Sequence, residues 1–559
     1  MTFPPGFHGV FLNYEMGELN LNNDSLILNE TDFFNVVSKN PISLILINNS
    51  IDVVNLPKKF DSREWGWISS VKNQIIDGSC WTFGTIAALE SALLKSTGIE
   101  YDFSENNIKD TMLQYSKYGI YGVVGSGYIP YATQNILSWL GPVFEKNDTF
   151  DEMAKVSPIF FTGDNIHIQD AIFVGPRKNL TDNDEIKKAI MKYGSLAIEY
   201  YSSVEAPDYN NKTHAQYQNL LNEVTHAVSV VGWDDNYPKE NFLTTPPGDG
   251  AWILKDNFGF ENGDKGYIYL SYYDVSFLNL SYAVGFIIEN TEKYARNYQT
   301  DLSGDMIFFD DMFGKNVSYK ITYQSQKTEL ISGVGTYFKY DGEPYVLNIY
   351  VNNELKHVQN GTGLYYGFHT VKLTDEIPIN LGDNFTVEIT KKSAPIFNNS
   401  RQHYAKDTVF MKTDDVWKDL ALKNMTTSLK VYTKDLAIYT QDLVKIYKND
   451  SKFEADVGVA NETVTFDVNG AKYARVSDEN GTARIAINLN PGNYTIKTSF
   501  NGTAIENKIT VLPTLIAQNL VKYFRNESQF HIALIDGTGK AISDVDITMN
   551  INGVFYNRT

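Results

Sequence analysis

The chain has 559 residues, 43% of them hydrophobic and 21% charged, which describes folded globular material of about three to four domains rather than a disordered chain. Its formal net charge of −19 repels phosphate backbones and argues against nucleic acid as a partner. No apolar run is long enough for a transmembrane helix, and the single cysteine, Cys80, excludes an intrachain disulfide and any multi-cysteine metal site.

Residues 1–55 read as a propeptide, a linker or the tail of an upstream domain. Met1–Glu18 lacks the basic and apolar regions of a signal peptide. Nineteen Asn-x-Ser/Thr triplets, among them Asn23, Asn147, Asn211, Asn316 and Asn480, nevertheless point to a glycosylated protein that is extracellular or on the cell surface.

Residues 56–290 mix two periodicities, as an α+β domain does. Trp81–Ser96 reads as a helix, with Ile86, Leu89 and Leu93 on one face and Gly98 as its stop. Asp184–Tyr193 reads as another, and the runs at 196–200, 227–233, 251–255 and 266–272 as strands. Between 291 and 437 helical periodicity fades, and alternating runs such as Tyr345–Val351 and Phe385–Ile389 predict a β-sandwich. No cysteine links this part to the one before it, so the β-modules are expected to separate from it, with a chain ending near Asn290 folding alone.

The remainder is an internal repeat of roughly 80 residues. DLVKIYKNDSKF (442–453) returns as NLVKYFRNESQF (519–530), and VTFDVNGAKYAR (464–475) as ITMNINGVFYNR (547–558). This defines immunoglobulin-like repeats at 438–513 and 514–559. The second lacks counterparts of the later strands, so the natural chain is expected to continue.

The chemistry concentrates around Cys80. Cys80 opens a helix, where orphan backbone N–H groups favour an anionic sulfur, the nucleophilic form. Gly78 permits a sharp turn, and Gln74 brings an amide donor to the preceding loop, suited to an oxyanion. A thiolate nucleophile needs a base and a group that orients it. His226 starts the apolar run Val228–Trp233, and the polar Asp256-Asn257 pair follows another strand.

These segments resemble the papain family of cysteine peptidases over Leu56 to about Asp274. The resemblance rests on the Leu56-Pro57 entry, Val71–Gln74, Gly78-Ser79-Cys80-Trp81, Phe103–Asn107, Thr225–Val228 and the block from Lys255 to Tyr267. It implies Cys80 as nucleophile, His226 as base, Gln74 as oxyanion donor and Asp256 as orienting residue, with Asn257 as the alternative third member. Gly125 and Gly127 would form the wall that holds the substrate backbone. Asp256, Asn257 and Phe258 stand where the family has Asn, Ser and Trp, and Asp77 where it has a disulfide cysteine. Segments at 301–304, 366–371 and 416–420 resemble the lectin-like β-sandwich that follows some prokaryotic papain-like peptidases. The repeats resemble those of adhesin-like surface proteins of methanogenic archaea and bacteria.

The expectation is therefore a multidomain protein, an α+β papain-like peptidase domain followed by all-β sandwich domains. It would be an exported cysteine endopeptidase acting through an acyl-enzyme without cofactor or metal. Its partners would be a protein or peptide substrate and, through the β-modules, a cell-surface glycan or protein. The alternative is a surface adhesin whose peptidase fold is inactive.

Overall fold

The computed structural model describes residues 26–27, 44–47, 51, 53–112, 126–150, 166–279, 281–288, 294–302, 304–398, 402–413, 415–435, 438–501 and 503–559. They form two compact units. One comprises residues up to 326 with 330–434, and the other 327–329 with 435–559.

In the larger unit, helix α1 (Cys80–Thr97) carries apolar residues on most of its circumference. Trp81, Ile86, Leu89, Ala92 and Leu93 are buried, so the helix runs through the interior instead of lying on it. It ends where Gly98 takes the left-handed conformation, φ 70°, and returns its N–H to the Leu94 carbonyl. Helices α2 (Glu105–Met112) and α3 (Ile129–Leu137) pack beside it. Facing them, strands β1 (Leu196–Tyr200), β2 (His226–Asp234), β3 (Ala251–Lys255) and β4 (Tyr267–Ser271) pair antiparallel in chain order. Helix α4 (Asp184–Tyr193) lays Ile186, Ala189 and Ile190 on the far side of this sheet, closing a core with Ile198, Val228, Val230, Trp252 and Leu254. Strand β2 is buried along nearly its whole length.

The 291–437 region does not stand apart, as the lack of a covalent link had suggested. A single 13-stranded sheet runs through both halves of the unit. Gly367 and Phe368 of the sandwich pair with Ile172 and Ala171, on a strand that itself pairs with Ala283–Phe286. Tyr337, Phe368 and Phe397 lie in the same buried cluster as Trp81, Leu89 and Ile136. Buried polar ties reinforce the seam. Lys430 Nζ reaches Gln299 Oε1 at 2.7 Å, Asp301 Oδ1 at 2.8 Å and Ser138 Oγ at 3.1 Å. Trp139 stacks on Tyr432 at 5.0 Å. Cutting near Asn290 would expose this shared core. The rest of the sandwich encloses its own core from alternating residues, Tyr319 and Ile321 against Leu347, Ile349, Val387 and Ile389.

In the smaller unit, residues 439–512 form a three-stranded and a five-stranded sheet, with Phe453 of one against Phe466 of the other. Residues 514–559 form two strand pairs, 515–517 with 532–534 and 547–551 with 554–558, and none of them is buried. The second pair turns at Asn552-Gly553, both at positive φ as a two-residue hairpin requires.

The shared core yields a test. Phe368→Ala removes a fully buried ring packed edge-on against Tyr337, and should cost about 3–5 kcal/mol. Urea denaturation should show that loss in the transition that exposes Trp81; an unchanged Trp81 transition would mean the two halves are independent.

Candidate active site

Cys80 is the first residue of α1 and keeps part of its surface exposed. Ser79 precedes it without a side-chain cap, and its carbonyl takes the N–H groups of Thr82 and Phe83. The sulfur therefore sits at the positive end of an 18-residue helix.

His226 is the first residue of β2. Its Nε2 lies 2.9 Å from Asp256 Oδ1, and the ring also makes a side-chain hydrogen bond with Cys80. Phe258 covers the imidazole in a near-parallel stack, centroids 5.1 Å apart and planes 15° from each other. Burial opposes a charge on His226. Hydrogen bonds and Coulomb attraction from Asp256 and Cys80 outweigh it and push the pKa up to about 10.

Asp256 follows β3 and is held on three sides besides the ring. Its N–H donates to the Gly266 carbonyl, Oδ1 also accepts the Asn257 N–H, and Oδ2 accepts Asn262 Nδ2 at 2.6 Å. Asn257 points away from the ring, its amide donating to the carbonyls of Ala227 at 2.9 Å and Cys80 at 3.4 Å. Asn257 thus braces the histidine strand against the helix start, and Asp256 contacts the imidazole.

Gln74 is fixed to the same loop, its N–H donating to the Asn257 carbonyl at 2.8 Å. Its Nε2 donates to the Asp77 carbonyl at 2.5 Å, which uses one of two amide hydrogens. The turn is sharp enough to hold β-branched Ile75 at φ 56°, secured by Asn73 Oδ1 accepting its N–H. Such a backbone costs on the order of 1–3 kcal/mol and occurs where a site demands it. Asp77, at the position of the absent disulfide, instead pairs with Lys109 of α2 at 2.8 Å.

Gly127 passes so close to Trp81 that a Cβ there would lie 2.6 Å from the indole. Only glycine fits there. Gly125 lies outside the described residues. Beneath the site, Lys72 Nζ binds Glu90 at 2.8 Å and Glu105 at 3.0 Å, and Lys255 reaches Ser69, which donates to Glu90. Among the described residues, no group of three or more His, Cys, Asp or Glu is placed to hold a metal ion.

The sequence did not signal Asn262. It lies in a glycine-bounded turn six residues after Asp256, a spacing that any loop could have.

Known proteins resemble the chain over the part that carries these residues. Residues 56–280 match the family model described as papain family cysteine protease. Pro-cathepsin H of Medicago truncatula is 28% identical over 224 residues, covering 39% of this chain and 58% of that protein. Mouse cathepsin K is 28% identical over 218 residues, covering 39% and 60%. The chain thus spans less than two thirds of the length of these relatives. Residues 56–280 are a papain-family cysteine protease domain.

The larger fold has a counterpart among solved structures. The cysteine protease and lectin-like domains of Cwp84, a surface layer associated protein of Clostridium difficile, superpose with a TM-score of 0.59 at 21% identity, covering 74% of this chain and 97% of that one. Cwp84 after propeptide cleavage gives 0.58 at 22%, covering 67% and 99%. The larger unit therefore shares its overall fold, a papain-like domain followed by a β-sandwich, with the protease and lectin-like domains of Cwp84.

The His226–Asp256 pair sets a pH test. A raised pKa means that the folded state holds the proton more tightly than the unfolded one. The resulting stability is complete below the ordinary histidine value of about 6.5 and fades as pH rises toward 10. Asp256→Asn removes the attraction, so the basic limb of kcat/KM should move to lower pH with much of the activity retained. An unmoved limb, with activity destroyed by Asn257→Ala, would make Asn257 the orienting residue.

Proposed function

We propose that this chain is a cysteine endopeptidase that hydrolyses peptide bonds through a Cys80 acyl-enzyme. The observation that carries the reading is the continuous chain of hydrogen bonds from Cys80 through His226 to Asp256 at the mouth of a helix. The thiolate attacks the carbonyl carbon. The oxyanion is received by the free Gln74 amide hydrogen and the Cys80 backbone N–H. His226 gives its proton to the departing amine, and then takes one from the water that releases the acyl group. Asp256 fixes the ring by its Nε2 and leaves Nδ1 toward sulfur; aspartate orients the base of serine triads in the same role but through Nδ1. The glycine at 127 leaves room for the substrate backbone.

The departures from the family pattern do not favour an inactive fold. Asp256 makes the contact an asparagine would make, and Phe258 shields the ring as a tryptophan would. An extracellular or cell-surface location is part of the proposal. It is supported by the Asn-x-Ser/Thr triplets and by the surface-layer association of Cwp84. A glycan or protein partner for the β-modules is an open extension of it.

Cys80→Ala should abolish hydrolysis of a casein or peptide substrate and leave the thermal transition in place; wild-type turnover by that variant would end the proposal. Gln74→Ala should lower kcat by roughly 10–1000-fold with KM nearly constant. A change confined to KM would instead make Gln74 a ground-state contact.

A further inference from the structure

An aspartate in the orienting place has a requirement that an asparagine does not. The amide of an asparagine has one acceptor oxygen and one donor nitrogen, so its two ends differ. Asp256 presents two oxygens that both accept hydrogen bonds, and the torsion that turns them is soft. A further group must decide which oxygen meets the ring and at what angle. Asn257, the next residue, gives only its N–H to Oδ1. Its side chain is engaged with the Ala227 and Cys80 carbonyls. Oδ2 is held by Asn262 Nδ2 at 2.6 Å, a shorter contact than the 2.9 Å between Oδ1 and the ring.

The backbone makes Asn262 a fixed point. Residues 256–266 connect β3 to β4. Within this turn the Asn262 N–H donates to the Gly259 carbonyl, and its own carbonyl accepts the Gly266 N–H at 2.7 Å. The Gly266 carbonyl in turn accepts the Asp256 N–H at 2.9 Å. One residue therefore anchors the main chain of both side-chain partners. It does so at φ 88°, with Val71 only 2.6 Å from where a Cβ would stand, so only glycine fits. The turn is pinned from outside as well, where the Gly259 N–H donates to the Lys72 carbonyl, two residues before Gln74.

Several titratable groups face the His226–Asp256 pair. They are Cys80 on α1, Tyr200 on β1 and Tyr209. Lys72, Glu90, Glu105 and Lys255 line a cavity of about 10 Å³ that Asp256 also borders. Among the described residues, Asn262 alone bonds Oδ2.

We propose that Asn262 is a positioning residue for the catalytic base, clamping the outer oxygen of Asp256 so that Oδ1 meets the His226 ring in a fixed plane. Resting on the peptidase reading, this role divides orientation between two side chains: Asp256 supplies the acceptor for the ring, and Asn262 supplies the amide. Without the clamp the Asp256 side chain turns about its terminal torsion and the contact with the ring loosens. His226 then loses part of the attraction that raises its pKa.

The test uses the full chain and a fluorogenic peptide. Asn262→Leu keeps the size of the side chain and removes the donor. It should lower kcat about 10-fold or more with a smaller change in KM. The basic limb of kcat/KM should also move down by about half a pH unit or more. A merely structural residue would lower activity and thermal stability together and leave the limb in place. That result would overturn the proposal, as would an unchanged kcat. If the leucine variant does not fold, Asn262→Ala carries the same expectations. Exchanging the pair, Asp256→Asn with Asn262→Asp, restores a donor–acceptor contact of reversed polarity. Its kcat should exceed that of Asn262→Leu by about 5-fold or more; an exchange no more active than the single variant would contradict the clamp.

A second measurement needs no turnover. Alkylation of Cys80 by iodoacetamide, followed by intact mass as pH is raised, should show an upper transition where His226 gives up its proton. That transition should fall to lower pH in Asn262→Leu, and an unmoved transition overturns the positioning role. A transition that moves in a chain that hydrolyses no peptide would leave the role standing and overturn the peptidase reading alone.

Discussion

The hydrogen bond between His226 and Asp256 is the interaction on which the rest of the site depends. A buried imidazole resists carrying a proton, and a nucleophilic sulfur needs a protonated partner beside it. A carboxylate at 2.9 Å resolves the conflict in favour of the charge. That carboxylate is itself affordable in the interior because Asn257 and Asn262 donate to it. Charge, donors and ring form one unit.

The scaffold supplies the precision. The two strands that carry His226 and Asp256 are neighbours in one sheet, with Ser229 opposite Lys255, so the register brings their ends together. Asn257 then ties the histidine strand to the helix start through the Ala227 and Cys80 carbonyls, and its own carbonyl holds Gln74. One loop thus positions Asp256, His226, Cys80 and Gln74 at once. The same sheet continues into the β-sandwich, whose Phe368 and Phe397 pack in the cluster behind Trp81. The sandwich is part of the body that holds the cleft rigid.

Much of this was legible in the residues. The helix expected over Trp81–Ser96 runs from Cys80 to Thr97, and that over Asp184–Tyr193 has those same ends. In both, Gly98 and Gly194 stop the pattern where apolar periodicity ends. The strands at 196–200 and 251–255 were equally plain, as short apolar runs between turn residues. The fusion of the two halves was not legible. Strand pairing between Phe368 and Ala171 joins residues almost two hundred positions apart, and alternation along a strand says nothing of its neighbour. Asn262 was hidden for the related reason that a polar residue in a turn is the common case.

The most direct test of the central claim is the rate at which a small epoxide alkylates Cys80 near neutral pH, in the wild-type chain and in His226→Ala. If the two side chains form a nucleophile–base pair, alkylation should slow by about 10-fold or more when the imidazole is removed, with the fold retained by circular dichroism. Equal rates in the two proteins would contradict the account, because they would show a sulfur that does not depend on the histidine beside it.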